Sequence, residues 1–468
     1  MVAADDVVHP DLGCQGKRRP LVVMCAFPAS GHMEGMLQIA AHLTARGFVV
    51  FFLSGDKFEQ QARDAGAEPW DNALPLTAEM IKGQYAQPQG HLRWNYQQKH
   101  IFLDGAAARH KILTRCLESV RERYPGRQVI IFNEVLFLGA LPYLLGAPLP
   151  KGYDKLPRII HFHTSINWAV SDDVAPYGLA LPPAKSGRDR SKYRALYDEM
   201  RPAAQGTVEY ANRLFRSLGA TKDLKADFLF SEIIRLPDVV LLACSPSLEY
   251  PRSDLPRTIK YIGGMPLKAY GSNFEVPEWW GELRANATLP LDTPERKKVV
   301  FLSQGTVNID NYGELVIPTA KAFAAQQDIV VVATLGKRGE VLPDGTDLPE
   351  NTRIVDYVPY DAILPLADVF VFNGGYGGFM HGVMNGTPMV FAGTAADKGE
   401  VAARAEWAGI SVNLRTNTPT QTMIRDAINQ ILTDRRYKAN IMKIKADNEA
   451  MDALGAVERQ IWELTESQ

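Results

Sequence analysis

Cysteine is scarce, with four among 468 residues. Cys14, Cys25, Cys116 and Cys244 stand far apart and form no CxxC pair. That spacing argues against a zinc site or a disulfide scaffold and fits a reducing compartment. An excess of charge of one sign is also missing. The formal net charge is −2, which gives no reason to expect nucleic acid or an anionic membrane as a partner. No apolar run reaches the ~20 residues needed to span a bilayer. The most apolar window, "VLFLGALPYLLGAPLP" from Val135, is broken by three prolines and two glycines. The first twenty residues have no apolar core and end in a basic cluster, the reverse of a secretory signal, and read as a loose tail. What remains is the expectation of a cytoplasmic protein long enough for two domains, with 46 % apolar residues to build their cores.

Nucleotide motifs are missing too. There is no GxxxxGK[ST], so a P-loop NTPase is not expected, and the turn "FPASGHMEG" does not supply GxGxxG. Asp-x-Asp occurs nowhere, so metal-bridged nucleotide-sugar chemistry lacks its usual ligands.

Strand, turn, helix and strand follow one another in "PLVVMCAF", "PASGH", "MEGMLQIAAHLTARG" and "FVVFFLSG", a βαβ unit that implies a parallel sheet. Further buried-strand candidates are "QVIIFN", "RIIHFH" and "VVLLAC". The stretches 70–125 and 165–235 read as mostly helical, too long for simple connections, and suited to covering or lining a site. After a Pro-, Gly- and Trp-rich linker between Pro251 and Pro294, alternation restarts with "KVVFLS", "DIVVVAT", "TRIVDYV", "DVFVFN", "PMVFAG" and "ISVNL". The fold class expected is α/β, with two doubly wound domains facing each other across a cleft. Residues 1–255 form the first, 256–440 the second, and 441–468 a helical segment that could pack back on the first. In such sheets ligands bind at the carboxyl ends of the strands.

The stretch "VFNGGYGGFMHG" places four glycines in five positions between a strand and a helix. Bare backbone at a helix N-terminus offers free N–H groups and the positive end of the helix dipole, which suits a diphosphate. A tight turn that binds nothing would need fewer glycines. His32 stands where the first strand's turn enters its helix. There it can serve as a base near neutral pH, or simply face water. Glu134, just after another strand, could orient that imidazole, and Asn133 is an equal positional candidate. Asp397 and Lys398 open a helix. They fit a plain N-cap or a pair for sugar hydroxyls.

Taken together these stretches resemble the GT-B UDP-glycosyltransferases of family 1, known from plants, macrolide producers and fungi. The resemblance covers nearly the whole chain and is strongest from Tyr357 to Leu414. The "NGGYGG" and "DK" variants, with "EVLFLGALPYLLGAP", look most like the fungal and bacterial branches, including fungal enzymes that glucosylate hydroxy fatty acids to sophorolipid-type glycolipids. The resemblance implies that His32 is the catalytic base and Glu134 its orienting acid. It implies that Tyr357 stacks on the nucleobase, with Val358 beside it, and that Tyr360 replaces a glutamine that contacts base and ribose. Asn373 replaces a phosphate-contacting histidine and can still donate a hydrogen bond. Gly377 and Gly378 match positions that hold the phosphates, Gly375 and Tyr376 belong with them to the donor site, and Gly305 and Thr306 match a loop that reaches the phosphates and sugar. His381 replaces a ribose-binding glutamate. Asp397 and Lys398 replace an Asp–Gln pair that binds the sugar.

The implied reaction is a single in-line displacement on UDP-glucose giving a β-glucoside, without a cofactor or metal. Trp94, Tyr96, Phe102, Phe137, Trp168 and Tyr177 could line an apolar acceptor pocket. A hydroxy fatty acid or glycolipid precursor is the expected acceptor, with polyphenols and polyketides as the alternative. A nucleotide-sugar epimerase, a dinucleotide-dependent oxidoreductase and a non-catalytic lipid- or sugar-binding protein are the rivals.

Overall fold

The computed structural model describes residues 18–466 apart from 54, 71–76, 89–90, 226, 269–273, 291–292, 306–310 and 395–396. Most of the N-terminal tail and Thr306 lie outside the described residues.

Two all-parallel sheets form the frame. The first contains β1 (Leu21–Cys25), β2 (Val50–Leu53), β3 (Glu68–Trp70), β4 (Val129–Glu134), β5 (Arg158–His163), β6 (Val239–Leu242) and β7 (Ile259–Tyr261), in the order β3-β2-β1-β4-β5-β6-β7. The second contains β8 (Lys298–Ser303), β9 (Ile329–Thr334), β10 (Thr352–Val355), β11 (Val369–Phe372), β12 (Met389–Phe391) and β13 (Ser411–Asn413), in the order β10-β9-β8-β11-β12-β13. The central strands β1 and β11 are apolar throughout, and β8 is apolar between Lys298 and Ser303, because helices cover both faces. All eleven strands expected from apolar runs are present. The two that sequence reading omits, β3 and β7, are three-residue edge strands too short for any periodicity. β7 pairs with β6, so the first sheet runs past residue 255.

Helix α1 (Ser30–Ala45) buries Met33, Met36, Ile39, Ala40 and Leu43, the i, i+3, i+4 stripe of a helix laid on a sheet. Gly47, at φ +82°, lets the chain reverse into β2. The segment between β3 and β4 includes a π-helical stretch, Gln97–Leu103, just before α2 (Ala106–Arg123). Residues 164–186 are not helical as expected. Pro176, Pro182 and Pro183 remove backbone donors there, and the segment is held by side-chain hydrogen bonds until α3 (Gly187–Ser217) begins. In the second domain the site-bearing helices are α4 (Tyr376–Asn385) and α5 (Lys398–Trp407). After α6 (Arg435–Ala450), the last helix, α7 (Ala453–Glu466), returns to the first domain. Its Val457 and Ile461 share a core with Met36 and Phe52.

In each sheet the strand order reverses once, between β1 and β4 in the first and between β8 and β11 in the second. Those reversals open crevices at the strands' carboxyl ends. A single apolar cluster joins Phe27, Trp168 and Phe230 of the first domain to Phe301, Phe372 and Tyr376 of the second, so the cleft has a continuous floor.

Candidate active site

His32 stands in the first turn of α1, just beyond the carboxyl end of β1, and Glu134 ends the neighbouring β4. His32 Nδ1 lies 2.9 Å from Glu134 Oε1, and the Leu136 N–H donates to Glu134 Oε2 at 3.1 Å. Glu134 is fully buried, whereas the His32 side chain keeps 28 % of its surface open. A carboxylate partner assigns the ring proton to Nδ1 and leaves the Nε2 lone pair available. Asn133 is turned elsewhere, its amide donating to the Glu134 carbonyl at 2.9 Å. Burial pushes the His32 pKa down, but the Glu134 charge and hydrogen bond, helped by Asp397 across the cleft, carry it above the usual histidine value. His163, at the end of β5, is held neutral by burial and bonds the Ile166 carbonyl at 2.7 Å.

The opposite rim is built at the reversal between β8 and β11. Gly305 and Gly374 adopt φ +83° and +88°. A Cβ on Gly305 would stand 2.8 Å from Asn373 Nδ2, and one on Gly374 3.3 Å from Lys398 Cβ, so both positions need bare backbone. Gly393, which no motif flags, is needed too, because a Cβ there would collide with the Asn373 carbonyl. Gly375 is the N-cap of α4. Gly377 has no neighbour within 4 Å of its Cβ position and faces open space. Gly378 does not: its Cβ would meet the Phe372 ring at 3.1 Å and Tyr360 at 3.5 Å, so this glycine serves helix-on-strand packing.

Several other side chains are committed differently from the expectation. Asn373 donates to the Gln304 carbonyl and accepts from the Gly375 N–H at 3.3 Å, bracing the turn with the amide that sequence reading assigns to a phosphate. The Tyr360 hydroxyl lies 2.7 Å from Ser303 Oγ, and its ring packs among Phe301 and Phe370, inside the second domain. Tyr376 is buried beside Cys244 of the first domain. Val358 is buried as well. Tyr357 carries the Arg338 guanidinium 5.0 Å from its ring centre.

His381 bridges the domains. Its Nδ1 is 2.7 Å from Asp361 Oδ1 and its Nε2 is 3.7 Å from Glu34 of α1. Burial opposes its charge, but the two carboxylates lift its pKa to about 9. Glu34, bonded to His381 and to Lys268 at 2.9 Å, falls to about 2. A cationic His381 cannot accept ribose hydroxyls as a glutamate does. The carboxylates at this place are Glu34 and Asp361, which sequence reading missed. These residues line an interdomain cavity together with Gly31, Gln38 and Gly377.

Asp397 occupies the N-cap position of α5 but makes no capping bond. Burial raises its pKa, opposed by Lys398 and His32. Burial lowers that of Lys398.

The aromatic side chains form a path outward from the imidazole. Phe27 meets His32 edge-on at 5.5 Å and Phe102 at 5.4 Å. Phe230 then joins Phe102 at 6.0 Å, Trp94 at 5.1 Å and Trp168 at 4.6 Å, and Trp94 meets Tyr177 at 5.1 Å. Phe27 and Phe230 were not singled out in the sequence; a phenylalanine in an apolar context carries no signal. Tyr96 is off this path, packed on His100. Phe137 is excluded from it: it is fully buried in a separate core with Leu113, Leu117 and Ile131 beneath α2.

Two facing parallel α/β domains, with an imidazole–carboxylate pair on one rim and a glycine-lined helix N-terminus on the other, are the architecture of GT-B glycosyltransferases. Solved structures agree on the fold. The glycosyltransferase of kitacinnamycin superposes with TM-score 0.67 at 20 % identity, covering 95 % of this chain and 99 % of that one. The calicheamicin glycosyltransferase CalG4 gives 0.68 at 14 %, covering 96 % and 98 %. Residues 20–76 match the glycosyltransferase N-terminal domain, and residues 320–464 match the erythromycin biosynthesis protein CIII-like C-terminal domain. Relatives include UDP-glucosyltransferase 1 of Beauveria bassiana, 38 % identical over 94 % of both chains. Another is UDP-glucosyltransferase A1 of Starmerella bombicola, 31 % identical over 95 % of this chain and 92 % of the relative. The chain belongs to the family 1 UDP-glycosyltransferases, and it is a UDP-dependent glycosyltransferase. Among the described residues no helix is long and apolar enough to cross a membrane.

Proposed function

We propose that the protein transfers glucose from UDP-glucose to a hydroxyl of a lipophilic acceptor, with inversion and without a metal or cofactor. The observation that carries this reading is the His32–Glu134 pair, placed between the aromatic path on one side and Asp397 on the other. His32 Nε2 takes the acceptor's hydroxyl proton, and the oxygen attacks C1 of the sugar. The bond from C1 to the diphosphate breaks, its electron pair leaving with UDP. Glu134 stabilises the imidazolium that forms. The departing charge is met by the open first turn of α4 around Gly377 and by Lys398. Asp397, free of capping duty, is available to sugar hydroxyls. Activity in excess EDTA is expected, and a strict requirement for added magnesium or manganese would contradict the metal-free mechanism.

A long-chain hydroxy fatty acid is the acceptor the wall of Phe27, Phe102, Phe230, Trp94 and Trp168 suits best. The names of the two Starmerella bombicola relatives, UDP-glucosyltransferases A1 and B1, agree with glucose as the sugar. Each buried methylene contributes about 0.8 kcal/mol, so four more carbons can raise kcat/KM by up to roughly a hundredfold. The test is kcat/KM with UDP-glucose over a chain-length series of hydroxy fatty acids, with a flavonoid and a small phenol alongside. A rising series supports the lipid acceptor. A flat series with high activity on the phenolics overturns it in favour of polyphenols, and conversion of the donor to an isomeric nucleotide sugar without acceptor points to an epimerase.

A further inference from the structure

One buried ionic group lies outside the reaction just described and spans both domains. Arg404 of α5 donates from Nε to Glu249 Oε2 at 2.9 Å and from Nη1 to Glu400 Oε2 at 2.8 Å. All three side chains are almost wholly buried. The guanidinium also lies 4.3 Å from the Tyr250 ring centre. Removing three charges from water is expensive, and such a group is poor evidence of stability by itself. What its outer oxygens hold is more informative.

Glu400 Oε1 accepts two backbone N–H bonds from the first domain, from Gly178 and Ala180, both at 2.8 Å. Gly178 has φ +97° and Ala180 φ +51°, a left-handed conformation that costs a non-glycine residue free energy and aims both N–H groups at one oxygen. The helical Gly399 fits against this turn, its Cβ position 3.6 Å from Ala180 Cβ. Glu249 Oε1 holds the same irregular segment further back, through the Asn167 N–H at 2.6 Å. That segment carries Trp168 and Tyr177 of the aromatic wall. The half-buried Tyr177 side chain sits in the field of Asp397 and Glu400, and burial with those two carboxylates pushes its hydroxyl pKa up. Glu400 itself is one helical turn beyond Asp397.

We propose that Glu400, seated on Arg404, is a positioning residue that ties the acceptor wall at residues 177–180 to the helix presenting Asp397, so that the acceptor pocket and the sugar subsite are assembled as one unit. This rests on the proposed transferase reading. Its consequence is partition: with the tether intact the wall shields C1 of the sugar from water, and with the tether cut water competes as the nucleophile.

The test uses the full chain with UDP-glucose and whichever acceptor the series above identifies. It compares wild type, Glu400→Ala, Glu400→Gln, Gly399→Ala and Gly399→Leu. In Glu400→Ala the acceptor KM and the ratio of donor hydrolysis to transfer are expected to rise by about ten- to a hundredfold, the scale set by a misplacement of about 1 Å. UDP affinity should change by less than about twofold, because no nucleotide contact is removed. Glu400→Gln keeps an oxygen for the two N–H groups and should recover most of the partition. Gly399→Leu, which alters no charge, should reproduce the alanine phenotype by pushing Ala180 away, while Gly399→Ala should not. Hydrogen exchange at Gly178 and Ala180 should quicken in Glu400→Ala and Gly399→Leu with UDP bound. If the wild type turns over UDP-glucose but the variants keep its hydrolysis ratio and its exchange protection, the tether is wrong. A wild type inert towards UDP-glucose overturns the proposed glucose transfer instead, and the exchange measurement still decides the tether.

Discussion

Replacing His32 with alanine removes the only imidazole the cleft presents between the aromatic wall and Asp397 among the described residues. Transfer should fall by about 10² to 10⁴ while UDP binding persists, because the nucleotide rim belongs to the other domain. Near wild-type turnover in a folded His32→Ala protein would end the assignment. The pH dependence follows from the sign of the shift. In the proposed mechanism His32 acts as the neutral base, and its pKa lies above the usual 6.5, so kcat/KM should rise with pH through an acid limb above that value. Glu134→Gln removes the charge that lifts it, so the limb should move to lower pH as kcat drops. The measurement is the pH profile of kcat/KM for both proteins, and an unmoved limb would show that Glu134 does not govern the base. At this scale sequence reading placed His32 and Glu134 from the ends of two strands. It did not foresee the contacts of Asn373 with Gln304, of Tyr360 with Ser303 and of the Gly378 backbone with Phe372, because these depend on neighbours distant in the chain.

Helix α4 divides its glycines between two tasks. Gly377 faces open cleft and Gly378 faces the Phe372 ring. Gly377→Val should therefore weaken UDP binding with little change in the melting temperature, since the added methyl groups enter the space the phosphates would occupy. Gly378→Val should instead cost about 1–3 kcal/mol of stability by overpacking against Phe372. Isothermal titration with UDP and thermal melts of both variants check this. Unaltered UDP affinity in Gly377→Val would reduce the glycine stretch to a turn. Strand, glycine turn and helix were legible as a unit because each of the three has its own local signal. The division of labour between adjacent glycines was not, because it depends on β11 and on Tyr360.

The two domains are joined by charge as well as by apolar surface. Glu34 of the first domain pairs with His381 of the second, which Asp361 also holds. Because the folded-state pKa of His381 is about 9, above the ordinary 6.5, its contribution is fully present below about pH 6.5 and is lost as pH rises through about 9. The contribution is up to about 3 kcal/mol, counted once for the whole triad. The melting temperature should fall between about pH 6.5 and 9.5, and His381→Gln should flatten that fall. Thermal melts across this range decide it, and equal slopes in both proteins would remove His381 from the interdomain account.

Sequence alone determined the parallel α/β character, the two-domain division and the strand ends that carry the chemistry, because β-runs, helical stripes and glycine turns are local patterns a few residues long. It also placed Asp397 and Lys398 at a helix start. Tertiary structure alone decided the rest. It put Phe230 rather than Phe137 on the aromatic wall, and it held residues 164–186 in an irregular path. It joined Glu400 and Arg404 to Glu249, and paired His381 with Glu34. Each of these contacts joins residues from tens to hundreds of positions apart. No local propensity encodes such a pairing; it arises only when burial forces charges and rings from separate elements to find partners in the same closed space.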